Sequence, residues 1–546
     1  MTPELKVELG PFGGVCCEHE VSGMDNNYRN NFFDEAAFNG KALHPKIRFV
    51  VGRRGSGKSS LGQLFKIAQA KIGAKARFVW DEIEKKEFTD LYKKEFEPLV
   101  ALPSPMPEIA NARFAKIWEA IIWALLFNSY KENDLRIRLG YHLPAIRSGI
   151  LAITGGMKAW LKIKNHGDEK NNHIAENMDK GLTGFFFAMA REAVLEHAHK
   201  TPIIIALDTL EKYSLKDASM NVLAAQIEAV SDFHRRYPAS RIQIKVFLAS
   251  EVFIYVKKKY LLNTLKSTTG DDDTLYLHWR PEHLLQLICW RFSKYLLSQG
   301  KPLRISLEGI DWSNYDTVFE KVWVPYFGHT IMNGYHTEEE SFPYVLRHTQ
   351  LRPRQLIMLC NAIAGENRTD PPRFCSTGIR VAIKNVEEKL VGEVFNSYEY
   401  IYPDVIDHLQ TAFQRFHVSF KGKELEAVLL KFNNAWSKRG NIHYSLEDFM
   451  KMVAELGIVG RAERKYPVGN NGSSSIIEAE FEYARQGRLH LGEDDDCVIH
   501  PMFFHFLGIN IKRETIIVYP FLSKDHPNDE FLRVKVPSTG ESSIIV

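Results

Sequence analysis

The pattern G-x-x-x-x-G-K-[ST] is matched at every fixed position by the segment Gly52-Arg53-Arg54-Gly55-Ser56-Gly57-Lys58-Ser59. Glycines allow a backbone to close around a phosphate, with successive N–H groups pointing inward. A lysine at the position of Lys58 can reach the β- and γ-phosphates, and a hydroxyl at the position of Ser59 can ligate Mg²⁺. The sequence therefore predicts a site for Mg²⁺ and a nucleoside triphosphate, extending from Gly52 to Ser60.

The segments around this loop fit the strand and helix that such a motif needs. An apolar run predicts a strand over residues 46–51, and the helix after the loop is expected over residues 58–72. The positive end of that helix dipole would add to the attraction for phosphate. A glycine-rich surface turn without function is the alternative, and the complete motif in this context disfavours it.

Two further apolar runs end in polar side chains. Residues 203–207 form a continuous apolar run before Asp208, which is typical of a strand covered on both faces. Ligands of open α/β sheets lie at the carboxyl ends of strands, so Asp208 is expected to hold Mg²⁺ through water or through Ser59. Glu211 could polarise an attacking water. Residues 242–249 predict another buried strand, after which Ser250 could face the γ-phosphate, although polar strand ends are common without function.

Composition limits the function less than these motifs do. The chain has 546 residues, 45% hydrophobic and 25% charged, with 70 Lys+Arg against 67 Asp+Glu. This length predicts several domains, and the near balance of charge favours no particular class of partner. The N-terminus lacks the features of a secretory signal and no apolar run reaches about 18 residues, so a cytoplasmic protein without a membrane span is expected. The six cysteines form no C-x-x-C pair and predict neither a zinc site nor a disulfide framework.

The order of these segments resembles that of AAA+ ATPases, in the branch that includes STAND and origin-recognition-type proteins. The resemblance rests on the Walker A loop, on a Walker B strand ending at Asp208, on Ser250 and on the segment Leu351-Arg352-Pro353-Arg354-Gln355-Leu356. It implies that Arg352 or Arg354 is the sensor arginine of a lid helix, reaching the γ-phosphate with its planar guanidinium. Arg354 is slightly favoured because Pro353 suits the first helical turn. A surface arginine without this role remains the alternative.

This resemblance, together with the hydrophobic pattern, predicts an α/β fold with a parallel-sheet P-loop core, a helical lid and a C-terminal winged-helix domain. Three helices, at about 404–417, 421–438 and 445–456, and a following hairpin are the basis for the winged helix. The predicted divisions are a lead-in (1–45), the core (46–280) with a helical insertion at about 108–200, the lid (281–400), the winged helix (401–510) and a C-terminal tail (511–546).

Three functions remain open at this stage. The segment Leu207-Asp208-Thr209-Leu210-Glu211 lacks the Asp-Glu pair of most AAA+ motors, which favours slow turnover or nucleotide-gated switching. The first function is an ATP-hydrolysing switch or assembly platform that forms homo-oligomers or docks a protein effector, of the kind found in bacterial defence systems. The second is a DNA-bound loader or remodeller, although the third helix of the winged-helix region is not basic. The third is a scaffold that binds nucleotide without hydrolysing it.

Overall fold

The computed structural model describes residues 10–17, 39–62, 75–78, 185–208, 218–259, 271–299, 306–334, 337–366, 373–399, 401–437, 443–468, 474–485, 489–510, 515–522 and 534–535, with single positions between 115 and 130. Packing divides the chain into two compact units. The sheet unit comprises Phe38–Gly52 and Lys58–Leu277, and the C-terminal unit comprises Met1–Ala37, Arg53–Gly57 and His278–Val546.

A five-stranded parallel sheet forms the sheet unit, in the order β2-β3-β4-β1-β5. Its three central strands are almost entirely buried, because helices cover parallel sheets on both faces. The unit is therefore mixed α/β, as the apolar runs predict. The strands are β1 (Phe49–Gly52), β2 (Lys75–Phe78), β3 (Ile203–Leu207), β4 (Ile242–Ala249) and β5 (Thr274–Tyr276).

The helices of the sheet unit alternate with its strands along the chain. They are a single turn at Asn39–Ala42, α1 (Phe185–Lys200), α2 (Ala218–Arg236) and α3 (Ser250–Lys259), with a 3-10 turn at Asp271–Asp273. The expected helix over residues 58–72 is helical at 58–62, and its remainder lies outside the described residues. Most of the predicted insertion at 108–200 also lies outside them, apart from α1 and scattered helical positions between 115 and 129.

The first half of the C-terminal unit is mainly helical, as expected for residues 281–400. Pro281 occupies the first turn of its first helix, which spans residues 281–298. Its helices are α4 (Pro281–Ser298), short segments at Tyr315–Val318, Phe319–Trp323 and Val324–Phe327, α5 (Ser341–Leu346), α6 (Pro353–Glu366) and α7 (Ser376–Tyr398).

A small antiparallel sheet interrupts these helices. The sequence pattern predicts no strands in this part of the chain. It contains β6 (Thr330–Met332) and β7 (Glu338–Glu340), and its third strand comes from the end of the chain. The completely buried carboxylate of Glu339 accepts hydrogen bonds from Arg347 (3.0 Å), Asn333 (2.7 Å) and the hydroxyl of Tyr519 (2.8 Å). These partners make a strand of three glutamates compatible with a buried position.

The second half of this unit contains three helices followed by an antiparallel hairpin and a second five-stranded sheet, ordered β12-β10-β9-β11-β8. Thr515–Tyr519 pairs in parallel with the hairpin strand Ser474–Glu480, so the expected boundary at residue 511 falls within a single sheet. The helices are α8 (Ile406–Phe413), α9 (Leu425–Ser437) and α10 (Leu446–Glu455), with short turns at Gly422–Glu424, Glu482–Arg485 and Pro501–Phe503. The strands are β8 (Ser419–Lys421), β9 (Val459–Val468), β10 (Ser474–Glu480), β11 (Asp496–Ile499), β12 (Thr515–Tyr519) and β13 (Val534–Lys535).

Residues 10–17 also pack within the C-terminal unit. The ring of Phe12 is buried and stacks on Phe292, with ring centroids 4.7 Å apart. The amide of Asn361 accepts a hydrogen bond from the Phe12 N–H (3.0 Å) and donates one to the carbonyl of Gly13 (3.0 Å). None of the helices that the structure describes is long and apolar enough to cross a membrane.

Candidate functional site

Within the sheet unit, the end of the loop pattern meets the end of β3. The hydroxyl of Ser59 donates a hydrogen bond of 2.6 Å to the carboxylate of Asp208. Strand β3 delivers Asp208 at its carboxyl end, and Ser59 lies in the first helical turn after the loop. The contact places a hydroxyl and a carboxylate oxygen together, which are ligand types that Mg²⁺ prefers.

The side chain of Lys58, the next-to-last fixed position of the loop, lies close to the start of the loop. Its side chain is buried and its Nζ donates to the carbonyl of Gly52 (2.8 Å), across the opening of the loop. A lysine ammonium carries three N–H donors, and phosphate oxygens are among the acceptors that it can bind. This position fits a lysine that binds phosphate as a point charge.

Ser250 lies at the same edge of the sheet. Strand β4 lies between β1 and β3, and Gly52 is paired with Ala249, the residue before Ser250. The structure makes Ser250 the first residue of α3, where its hydroxyl donates to the Glu251 carboxylate at 3.3 Å. Ser250 therefore shares a sheet edge with Gly52. The other predicted polar residue, Glu211, lies outside the described residues.

Within the C-terminal unit, residues 53–57 form a tight turn, with the Ser56 N–H donating to the carbonyl of Arg53 at 3.0 Å. Gly55 and Gly57 have φ values of +83° and +91°. A Cβ on Gly55 would lie 3.0 Å from the Cβ of Arg354, so glycine is required here both by conformation and by space. The Ser56 hydroxyl is buried without a hydrogen-bond partner, which fits a turn that receives an oxygen-rich anion.

Both candidate sensor arginines contact this turn. Arg352 is buried, and its Nη1 donates to the carbonyl of Arg54 (3.1 Å). The backbone N–H of Arg354 donates to the carbonyl of Gly55 (3.3 Å), while its Nε donates to the carbonyl of Val15 (3.0 Å). The guanidinium of Arg352 thus lies on the loop backbone, whereas that of Arg354 is engaged with residues 10–17.

Several contacts of the turn were not predicted from the sequence. The indole N–H of Trp279 donates to the carbonyl of Ser56 (2.8 Å). The guanidinium of Arg53 donates to the hydroxyl of Tyr398 (3.2 Å) and the carbonyl of Glu455 (3.4 Å), and it lies over the ring of Tyr483 at 5.4 Å. Arg53 and Ser56 occupy variable positions of the pattern, which carry no signal for such partners.

A buried polar chain continues from Tyr483. Its hydroxyl donates to the carbonyl of Pro520 (3.0 Å) and lies 3.1 Å from Nε2 of His500. Nδ1 of His500 accepts the N–H of Met502 (3.0 Å), so the neutral ring carries its proton on Nε2. Burial, with a further contribution from Arg53, lowers the pKa of His500 to about 3 despite an opposing backbone hydrogen bond. His500 is therefore neutral at physiological pH.

Comparisons with known proteins give little beyond this geometry. No family model matches the chain, and no curated protein matches it. A solved structure of the ORC2 protein of Aeropyrum pernix, in ADPNP–ADP complexes, aligns with 86% of this chain and 90% of that chain. The alignment has 11% sequence identity and a TM-score of 0.25. At these values, function is inferred from the chain's own contacts.

Proposed function

We propose that this protein is a P-loop ATPase of the AAA+ type that binds Mg·ATP at Gly52–Ser60 and hydrolyses it slowly as a nucleotide-gated switch. The observation that carries the proposal is the 2.6 Å hydrogen bond between Ser59 and Asp208, which joins the last fixed position of the loop to the carboxyl end of β3. A surface turn without function would not require a carboxylate at this hydroxyl. Both groups are oxygen ligands suited to Mg²⁺.

Each residue has a distinct role in this proposal. Lys58 binds the β- and γ-phosphates, Ser59 and Asp208 hold Mg²⁺, and the backbone of residues 52–60 binds the phosphate chain. Mg²⁺, when bound, neutralises charge on the transferring phosphoryl group. Ser250 and Arg352 are proposed to contact the γ-phosphate, with Arg354 as the alternative sensor, and Glu211 to orient water. These roles agree with the buried position of Lys58 and with the contact of Arg352 on the loop.

The C-terminal unit is proposed to contain two domains with different roles. Residues 281–400 act as the lid, and residues 401–510 form a winged helix of three helices and a hairpin. The exposed face of α10 carries Glu447 and Asp448 alongside Lys451, so it has no excess of positive charge for DNA phosphates. We therefore favour a protein effector or a second copy of the chain as the partner, with antiphage defence as one setting in which such switches occur.

The test is phosphate release together with nucleotide binding in wild type, Lys58→Ala and Asp208→Asn. Exposed Lys46→Ala and Asp272→Asn, which make the same chemical changes elsewhere in the sheet unit, serve as matched controls. We expect both site variants to lower phosphate release by a factor of about 10²–10³ and both controls to retain it. Binding without phosphate release in the wild type would favour the scaffold, and equal binding by wild type and Lys58→Ala would overturn the proposal.

A mass measurement in solution with and without a non-hydrolysable ATP analogue tests the switch itself. We expect the analogue to change the oligomeric state, or the affinity for an effector, in the wild type but not in Lys58→Ala. An unchanged mass and an unchanged partner affinity in the wild type would contradict gating.

DNA binding is the second candidate function. It is favoured by exposed Arg464 and Lys465 on strand β9 of the hairpin. If the hairpin binds DNA, duplex affinity at low salt should fall steeply as salt rises and should weaken in an Arg464→Ala/Lys465→Ala double variant. Negligible duplex binding at low salt, with and without ATP, would eliminate this candidate.

A further inference from the structure

Helix α10 ends in a turn that leaves carbonyl groups available for side chains. The N–H of Gly457 donates to the carbonyl of Ala454 (2.8 Å), and that of Ile458 donates to the carbonyl of Val453 (3.0 Å). Gly457 has a φ of +68°. These are the features of a Schellman motif, in which the last carbonyls of the helix point outward and carry the negative end of the helix dipole.

The amide of Gln350 binds this turn. Its Nε2 donates to the carbonyl of Leu456 (2.9 Å) and lies 3.5 Å from that of Gly457. A Cβ on Gly457 would lie 2.6 Å from the same Nε2, so only glycine permits the approach. The guanidinium of Arg53 reaches the neighbouring carbonyl of Glu455 (3.4 Å). The turn at residues 455–457 is thus held by two side chains from distant parts of the sequence.

The other end of the same amide holds Arg352. Oε1 of Gln350 accepts a hydrogen bond from Nη2 of Arg352 (2.8 Å), while Nη1 of Arg352 donates to the carbonyl of Arg54 (3.1 Å). Because one end of the amide donates and the other accepts, its orientation is fixed. Gln350 is 1% exposed and its own N–H donates to Gln355 (2.8 Å), so the side chain has little freedom.

The backbone between Gln350 and Arg352 has an uncommon conformation. Leu351 has a φ of +52°, in the left-handed region that non-glycine residues seldom adopt. Its N–H donates to the hydroxyl of Thr349 (3.3 Å), and Pro353 then begins α6. This bend directs both Gln350 and Arg352 to a common point, where their side chains meet. An unanchored arginine would distribute over many rotamers, which reduces the share of molecules able to bind a phosphate.

We propose that Gln350 is a positioning residue that holds Arg352 on the phosphate loop, so that the turn at residues 455–457 determines how strongly the site prefers ATP to ADP. This inference rests on the proposed function, in which Arg352 contacts the γ-phosphate. Only ATP carries that phosphate, so misplacing Arg352 weakens the binding of ATP and leaves that of ADP unchanged. Gln350 touches no nucleotide and acts through Arg352.

The experiment measures dissociation constants for ADP and for a non-hydrolysable ATP analogue, by calorimetry on the full chain. The variants are Arg352→Ala, Gln350→Ala and Gly457→Ala, with Gln410→Ala as the matched control. Gln410 also donates from a side-chain amide to a backbone carbonyl, that of Phe506 (3.0 Å), within the same unit. The ratio of the two constants is the readout, because general destabilisation weakens the binding of both nucleotides.

We expect Arg352→Ala to lower the preference for ATP by about tenfold or more, the size of one hydrogen bond to a charged group. Gln350→Ala should lose most of the same preference, Gly457→Ala should lose part of it by displacing the amide of Gln350, and Gln410→Ala should match the wild type. If Gln350→Ala does not fold, Gly457→Ala gives the result, since it leaves the chemistry of Gln350 intact.

A wild-type ratio in both Gln350→Ala and Gly457→Ala, while Arg352→Ala loses the preference, would overturn the positioning role. A wild-type ratio in Arg352→Ala would overturn it as well, because Gln350 would then have nothing to position. Failure of the proposed function has a different appearance: Lys58→Ala would then bind both nucleotides as the wild type does.

Discussion

The fixed and the variable positions of the phosphate-binding segment differ in where their partners lie. Lys58, a fixed position, contacts the carbonyl of Gly52 six residues before it, and Ser59 contacts Asp208 within the sheet unit. The variable position Arg53 contacts Tyr398 and Glu455, which are 345 and 402 residues away. The carbonyl of the next variable position accepts a hydrogen bond from Arg352, 298 residues away.

This difference teaches how one short segment can meet two requirements. The fixed positions are restricted by the geometry of phosphates and Mg²⁺, which allows few residue types. Variable positions contribute mainly backbone to such a site, so their side chains are available for other contacts. In this chain the side chain of Arg53 contacts Tyr398, Tyr483 and the carbonyl of Glu455. The comparison predicts that substitutions at fixed positions impair chemistry, whereas substitution of Arg53, whose side chain has distant partners, alters stability.

The largest effect is expected from Lys58→Ala and Asp208→Asn. Removing a charged group that stabilises a transferring phosphoryl group costs about 10²–10³ in turnover. We expect phosphate release to fall by this factor in both variants, with circular dichroism and the melting temperature close to those of the wild type. A variant that loses its fold together with its turnover would contradict the division of roles between the fixed and the variable positions.

Arg53→Ala tests the contribution of a variable position to stability. The variant loses the hydrogen bonds to Tyr398 and Glu455 and the cation–π contact with Tyr483. We expect the free energy of unfolding to fall by about 1–3 kcal/mol, measured by urea unfolding, with turnover of the folded protein nearly unchanged. Exposed Arg54→Ala is the matched control and should change the stability by less than about 0.5 kcal/mol. Equal effects of the two substitutions would mean that the side chain of Arg53 contributes no specific stability.

The pH dependence of stability sharpens the comparison, because His500 belongs to the network that holds Arg53. Burial lowers its pKa from 6.5 to about 3, so below pH 6.5 the unfolded chain binds a proton that the folded chain does not. The contribution of His500 is complete above pH 6.5 and is lost as the pH falls. Between pH 7 and pH 5 the wild type should lose about 2 kcal/mol more than His500→Asn.

His500 caps the short turn at Pro501–Phe503 by accepting the N–H of Met502. Asparagine in the His500→Asn control can accept the same hydrogen bond, because it is a good cap residue, but it has no titrating ring. Urea unfolding of both proteins at pH 7, 6 and 5 provides the measurement. Parallel curves would show that His500 is equally protonated in the folded and unfolded chains, contrary to its burial.

The smallest effect is expected from Ser56→Ala. Its buried hydroxyl has no hydrogen-bond partner, so its removal should leave the melting temperature unchanged or raise the stability by up to about 1 kcal/mol. Ser240→Ala is the contrasting control, because that hydroxyl donates to the carbonyl of Tyr237 at 2.8 Å and its loss should be destabilising. If the hydroxyl of Ser56 meets a phosphate, calorimetry should also show a few-fold weaker binding of nucleotide to Ser56→Ala. A clear loss of stability in Ser56→Ala would show that the hydroxyl has a partner after all.

The sequence predicted best where one local pattern determines an element. Strands β3 and β4 are continuous apolar runs, and they lie at the predicted residues 203–207 and 242–249. Prediction from the sequence failed where an element is stabilised by residues that are distant in the chain. No local pattern predicts a strand at Glu338–Glu340, because Glu339 is stabilised in the interior by Arg347 and by Tyr519, which is 180 residues away.

The candidate site shows the same limit. Ser59 and Asp208, paired by motif and by the end of an apolar run, lie in hydrogen-bond contact. The place of Arg354 after Pro353 favours it as the sensor, but no local pattern reveals the contact between its Nε and the carbonyl of Val15. Gln350 carried no sequence signal at all. A glutamine becomes informative only when the carbonyl and the guanidinium on either side of its amide are known.

The packing of Phe12 has a consequence for the time course of folding. Its ring contacts Phe292, Phe327 and Phe374, with centroids 4.7, 6.2 and 6.5 Å away. At a synthesis rate of about 5–20 residues per second, Phe374 is made roughly 20–70 s after Phe12. During this interval residues 10–17 lack the complete aromatic surface on which they finally pack. Chaperone contacts with residues 10–17 should therefore be longest on ribosomes that have not yet synthesised Phe374.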